Sequence, residues 1–338
     1  MIKLNMNENP YPPPENVLKA AKLGINNINR YSELKYSNNL KNLLASYNNV
    51  SKERIILSPG SEFILREIIY IFSKGRKLIM TNPTFFPALE HAVKNAKKIV
   101  KFQLFPPEFK LNQKMILEEL YEPTFIIIEN PNNPTGKILL DESFVEKILQ
   151  NENALLLVDE AYYEFVKCTF IDLIEKYPNF AIARTMDKAF SLAGLRLGYF
   201  IAGDYFLREL YDFPKFLPIP VIFAAIEALR NQEYVNENIE RIIGEKKRVE
   251  NELEKLGVEI FPGEANFILI RCKILNLAKK LIDKGIIISN LSINWLDGFY
   301  RISIGLPEEN DAFLLEIGNI KTNYDDKFTL PHLKKKHY

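Results

Sequence analysis

The 338-residue chain carries 44 Lys+Arg against 43 Asp+Glu, a net charge of +1, which argues against a nucleic-acid or membrane-surface protein. Apolar content of 47% and aromatic content of 12% indicate a folded chain, long enough for one large domain and a smaller one. Cys168 and Cys272 lie far apart and form no metal or redox motif, and with His91, His332 and His337 as its histidines the chain is expected to hold no metal.

In chain order, residues 1–14 are polar and proline-rich, with no signal-peptide pattern. No apolar run approaches the roughly 20 residues that span a bilayer, and two cysteines make no disulfide framework, so a cytoplasmic protein is expected. Apolar runs predict strands over 54–58, 77–81, 99–103, 124–129, 154–159, 180–186 and 198–202. Helical patterns lie between them, at 62–72, 86–95 and 141–150. Several strand runs are continuously apolar, as when both faces of a sheet are covered. The alternation predicts an α/β fold with a mostly parallel sheet flanked by helices. From about residue 218 the texture changes. Residues 222–256 read as one long charge-laced helix. Short strands follow at 258–261, 266–271, 286–289 and 300–304, with a helix at 308–317. This reads as a smaller α+β domain. The expected division is 28–230 for the large domain, 1–27 plus 231–320 for the small one, and 321–338 for a polar basic tail. There is no internal repeat and no low-complexity segment.

Chemistry concentrates just after the predicted strands, where open α/β sheets place their ligands. Ser58-Pro59-Gly60-Ser61 leaves a strand and opens a helix, an arrangement whose free N–H groups suit an anion. Glu129-Asn130-Pro131-Asn132-Asn133-Pro134-Thr135-Gly136 forms a tight loop whose asparagines can bind a ligand oxygen. Val158-Asp159-Glu160-Ala161-Tyr162 ends a strand in a carboxylate, with a tyrosine three residues on. After the run 180–186 comes Lys188, then small residues, then Arg196. A desolvated lysine has a lowered pKa and can form a Schiff base, and an arginine fork can bind phosphate. Arg301 opens a strand of the second domain and suits a bidentate grip on a carboxylate. Each segment taken alone also reads as ordinary structure: a helix N-cap, a turn, a packing tyrosine, an edge-strand arginine.

Taken together and in this order, the segments resemble the class I/II aminotransferases of pyridoxal 5′-phosphate (PLP) fold type I, and within them the histidinol-phosphate aminotransferase group. The resemblance runs from Leu4 to Asn310. It rests on Asn132-Asn133-Pro134-Thr135-Gly136, on Val158-Asp159-Glu160-Ala161-Tyr162, and on the stretch from Lys188-Ala189-Phe190 through Leu195-Arg196 to Gly198-Tyr199. It implies a PLP fold type I large domain and PLP as cofactor. Lys188 would carry the cofactor and shuttle a proton, Asp159 would face the pyridine nitrogen, and Tyr162 and Asn133 would hold the 3-oxygen. Phe85 would stack on the ring, where the family often has tyrosine. Gly60, Ser61, Glu62 and Arg196 would bind the cofactor phosphate. Tyr31 would reach the cofactor of a partner subunit in a homodimer. Arg301, with Asn133, would bind substrate, and the segment 7–11, with Asn9 and Tyr11, would line the entrance. The implied reaction is transamination between an amino donor, histidinol phosphate first, and 2-oxoglutarate. The alternatives are a threonine-phosphate decarboxylase-like lyase, suggested by the stretch 294–301, and an aromatic amino-acid aminotransferase.

Two positions depart from the family pattern. Asp187 stands before the lysine where the family usually has serine or threonine donating to the cofactor phosphate; an ionised aspartate cannot donate. Ser289 stands near the place of an arginine that commonly contacts the substrate phosphate, and supplies no charge. Asp187→Ser is therefore expected to tighten PLP binding.

Overall fold

The computed structural model describes residues 1–85, 95–210, 216–292 and 296–328. The helix expected over 86–95 falls almost wholly outside them, as do His91, His332, His337 and Trp295.

The chain opens with β1 (Ile2–Leu4) and the helices Glu15–Ile25 and Leu34–Asn48. Seven strands then build the large sheet: β2 (Ile55–Ser58), β3 (Lys77–Asn82), β4 (Lys98–Gln103), β5 (Thr124–Glu129), β6 (Ala154–Asp159), β7 (Phe180–Thr185) and β8 (Gly198–Ala202). Their spatial order is β2-β8-β7-β6-β5-β3-β4. The pairs from β4 through β7 are parallel, and β8 runs antiparallel to both its neighbours. The continuous apolar runs are explained by this position. Along β5 and β6, Ile126, Ile128, Leu156 and Val158 face one core, while Phe125, Ile127, Leu155 and Leu157 face a second core on the other side. With both faces covered, no position is left for a polar residue until the strand ends. Leu156 is fully buried, and its truncation to alanine would cost about 2–5 kcal/mol.

The parallel register also places charges. Glu129 pairs with Asp159 across β5 and β6, so two carboxylates emerge side by side at the C-terminal edge of the sheet.

The small sheet has the order β1-β11-β12-β10-β9, with β9 (Glu259–Phe261), β10 (Phe267–Arg271), β11 (Ile286–Asn290) and β12 (Phe299–Ser303). The N-terminal strand is part of it, parallel to β11.

Three expectations are corrected. The single helix over 222–256 is two helices, Ile219–Arg230 and Gln232–Lys255, broken at Asn231. Asn231 leaves the helical region (φ −104°, ψ 44°), and its side-chain amide donates to the Glu227 carbonyl at 2.6 Å. This is the local competition by which asparagine interrupts helices. Second, segment 1–27 does not lie as one piece with the small domain. Helix Glu15–Ile25 packs against Ile219–Arg230, so closely that a Cβ on Gly24 would lie 2.6 Å from the Cα of Pro220. Third, the last helix is Pro307–Phe328, which takes in the start of the segment expected as a tail.

Candidate active site

The strand ends of the large sheet and β12 of the small sheet meet at a cleft of about 740 Å³. Lys188 follows β7 on a turn that is closed by hydrogen bonds from Ser191 N–H to the Lys188 carbonyl (3.2 Å) and from Leu192 N–H to the Met186 carbonyl (3.2 Å). Its amine donates to the Met6 carbonyl at 2.9 Å. Burial lowers the Lys188 amine to about 8; Asp187 opposes this, and the cations Arg301 and Arg196 add to it. The result is an amine with a free-base fraction near neutral pH, as a nucleophile requires.

Asp159 ends β6 with its carboxylate buried and one oxygen accepting from Ala161 N–H at 3.1 Å. Burial pushes its carboxyl up to about 7, helped by neighbouring Glu160 and opposed by Lys188. A buried carboxylate that lacks a direct cation can be stabilised by a protonated ring nitrogen. Tyr162 is buried, and its hydroxyl, pushed up to about 12 by burial, accepts from the Asn7 side-chain amide at 2.8 Å.

Arg301 rises from β12 with its guanidinium over the Phe267 ring, 5.5 Å from the centroid. One nitrogen donates to Asn133 Oδ1 at 2.5 Å. Another donates to the Asn5 carbonyl at 2.6 Å and to Ser289 Oγ at 3.0 Å. Its Nε is buried and has no hydrogen-bond partner among the described residues, a donor left over for an anion. Asn133 is held in turn by its own N–H, which donates to Glu129 Oε2 at 3.0 Å.

Arg196 has left-handed backbone (φ 55°), which turns its side chain back over Gly60. Gly60 itself has φ +86°, and a Cβ there would lie 2.9 Å from the guanidinium, so glycine is required on both counts. Ser61 begins the helix Ser61–Phe72, and Ser61 and Glu62 of its first turn line the cleft together with Arg196. Arg196 already pairs with Asp187.

The cleft thus brings together Ser61, Glu62, Phe85, Asn133, Asp159, Tyr162, Lys188, Arg196 and Arg301 from the sequence-predicted set, with Gly60 behind Arg196. Three predicted residues lie elsewhere. Asn9 lines an adjoining cavity and donates to the Ala189 carbonyl at 3.0 Å. Tyr11 packs near Arg241, whose guanidinium is 5.7 Å from its ring. Tyr31 is 84% exposed and stacks against Phe216, outside this chain's own cleft.

Sequence reasoning missed Glu129 and Met6, and named Asn7 only as the start of the segment expected at the entrance, with no role of its own. Glu129 is buried and accepts from Thr84 Oγ1 (2.5 Å) and from the N–H groups of Phe85 (2.5 Å) and Asn133 (3.0 Å). It thereby ties the Phe85 segment to the Asn133 loop. Burial, with Asp159 adding to it, pushes its carboxyl up to about 7. Its signal was present: like Asp159, it is a carboxylate ending an apolar strand. Asn7 carried no such signal. It sits in left-handed backbone (φ 52°), its N–H donating to Ser303 Oγ at 2.8 Å, and only the fold brings it to Tyr162.

The sequence model of the aminotransferases of class I and II matches residues 1–317. The chain belongs to this family. A histidinol-phosphate aminotransferase of Sulfurisphaera tokodaii is 34% identical over 96% of this chain and 92% of its own length. One of Thermococcus gammatolerans is 33% identical, over 94% of this chain and 92% of its own. The crystal structure of the histidinol-phosphate aminotransferase from Clostridium acetobutylicum superimposes with a TM-score of 0.87 at 26% identity, covering 96% of this chain and 100% of that one. The fold is therefore that of the PLP fold type I enzymes. PLP is the aminotransferase cofactor, and the donor set fits it: a pKa-lowered lysine, a buried carboxylate at a strand end, and an arginine beside a helix start.

Proposed function

We propose that this aminotransferase moves the amino group of histidinol phosphate to 2-oxoglutarate. The observation that carries the reading is the convergence of Lys188, Asp159 and Arg301 on one cleft, in a chain whose near-full-length relatives bear the histidinol-phosphate aminotransferase name. When bound, PLP supplies an electron sink that acidifies the Cα–H of an attached amine. Lys188 would hold the cofactor through its amine, and that amine, once freed, would be the base that takes the substrate's Cα proton. Asp159 would keep the ring nitrogen protonated, an ion pair that would relieve the burial of its carboxylate. Tyr162 and Asn133 would orient the 3-oxygen, and Phe85 would cover the ring. Backbone groups of Gly60, Ser61 and Glu62, with the Arg196 side chain, would hold the phosphate. Arg301 would take the anionic end of the substrate.

The exposure of Tyr31, away from its own cleft, supports a homodimer in which it reaches the partner's cofactor. No helix among the described residues is long and apolar enough to cross a membrane, and a biosynthetic enzyme of this kind works in the cytoplasm.

One observation favours a second reading. Ser289 is turned onto Arg301 and the Asn5 carbonyl, and so adds no positive charge for a phosphorylated substrate. An aromatic amino donor needs none. The test is turnover of histidinol phosphate, phenylalanine and phosphothreonine by the PLP-loaded protein, following glutamate formed from 2-oxoglutarate together with carbon dioxide. Histidinol phosphate should exceed phenylalanine in kcat/KM by at least about 100-fold. Parity or reversal removes it as the donor, and carbon dioxide release from phosphothreonine replaces the transferase with a lyase.

A further inference from the structure

Arg196, the side chain read here as the cofactor's phosphate anchor, is claimed by two carboxylates. One guanidinium nitrogen pairs with Asp187 and another lies 3.7 Å from Glu62. Asp187 cannot turn away. Its side chain is 4% exposed, its Oδ1 accepts from Leu197 N–H at 3.2 Å, and its own N–H donates to Thr185 Oγ1 at 3.0 Å. The charged groups around it are Arg196 and Lys188 on its own loop, and Glu62 from the helix Ser61–Phe72, acting through Arg196. On its other side the adjoining cavity is lined by Lys3 and Glu8 of the N-terminal segment and by Glu309 of the last helix.

A phosphate dianion arriving at this cup therefore finds an arginine that is already neutralised, and a carboxylate on the same fork. Two anions sharing one half-exposed guanidinium, one of them the buried Asp187 carboxylate, repel each other, whereas a protonated carboxyl can donate to a phosphate oxygen. A hydroxyl at this position would make the same donation without titrating. We propose that binding of the cofactor's phosphate to this chain takes up one proton from solvent onto Asp187, which changes from competitor for Arg196 to donor to the phosphate. The direction is supported by the unliganded site: burial raises the Asp187 carboxyl despite the opposing pull of Arg196 and Lys188. The inference rests on the PLP reading of the cleft and adds to it a proton-linked affinity.

The test is calorimetric titration of the cofactor-free protein with pyridoxamine 5′-phosphate, which has no aldehyde and leaves Lys188 uncombined. At pH 8 the ligand's phosphate is already a dianion, since its second ionisation lies at about pH 6. Titration in two buffers of different ionisation enthalpy counts the protons taken up. Wild type should take up at least about half a proton more than Asp187→Asn, and its affinity should weaken about tenfold from pH 7 to pH 9, against under about threefold for the variant. Asp187→Ser should behave as Asp187→Asn does, and should bind more tightly than wild type at pH 8. Wild-type affinity that stays flat with pH overturns the inference without recourse to any variant. Equal proton uptake in all three proteins overturns it too, while leaving the cofactor reading intact. Failure of both pyridoxamine phosphate and PLP to bind overturns both together.

Discussion

The two ends of the cleft are built differently. At the proposed cofactor end, Asp159 and Lys188 follow the adjacent strands β6 and β7, and the Gly60–Ser61 turn follows β2, with β8 between it and β7 in the same sheet. β6 and β7 are buried along their whole length, and β2 is buried except at half-buried Ile56. At the substrate end, Arg301 leaves the small sheet, and its partners are the Asn5 carbonyl, Ser289 and Asn133, from three distant parts of the chain. The first end takes its rigidity from the apolar strands beneath it. The second takes it from polar contacts between segments, several of them to the N-terminal strap. That strap also caps Lys188 through the Met6 carbonyl and Tyr162 through Asn7.

Substitutions can break this comparison. Lys188→Ala removes the amine that moves the proton, and turnover should fall by at least about 10⁴-fold with the substrate KM little changed; single-turnover absorbance measurements check this. Arg301→Ala should act on the other side, raising the KM for 2-oxoglutarate about 100-fold while leaving PLP affinity within about twofold. If Arg301→Ala instead released PLP, the two ends would not be separable. The pH dependence of PLP capture sharpens the first end. The Lys188 amine must be unprotonated to attack the aldehyde, and its value is about 8. Protonation below that value removes the nucleophile, so the capture rate should level off above about pH 9, stand near half of its plateau at about pH 8, and lie about tenfold below the plateau at pH 7. Stopped-flow absorbance of the cofactor-free enzyme with PLP reads it directly. The smallest effect belongs to the strap. Asn7→Ala loses the bond to Tyr162 and one to Ser303, a loss of about 1 kcal/mol each. It should raise KM about fivefold to tenfold with kcat within about threefold; a larger fall in kcat than rise in KM would place Asn7 with the chemistry.

Much of the first end was legible in the sequence because each of its elements is local. An all-apolar strand, a carboxylate at its end and a glycine at the turn can be read without knowing what lies opposite. Glu129 obeyed the same rule and was overlooked because it stood at the head of a loop motif. The break at Asn231 was not legible: the apolar and charged spacing continues through it on both sides, while its side chain bonds the Glu227 carbonyl and accepts from Asn16, which is distant in sequence. Asn9 and Tyr11 were placed at the entrance by resemblance, but the left-handed turn at Asn7 sends them past the cleft while bringing Asn7 itself into it.

The sequence by itself determined the alternation of covered strands and helices and the order of the strand ends, which follow from side-chain periodicity and backbone geometry over a few residues. The shared role of Lys188, Asp159, Arg196 and Arg301 came from the family resemblance and is part of the proposed function. Only the tertiary structure decided that the strap crosses the cleft, that Glu129 stands beside Asp159, and that Asp187 reaches Arg196. Those contacts join residues whose charges and donors have no meaning until burial removes water and leaves them to one another.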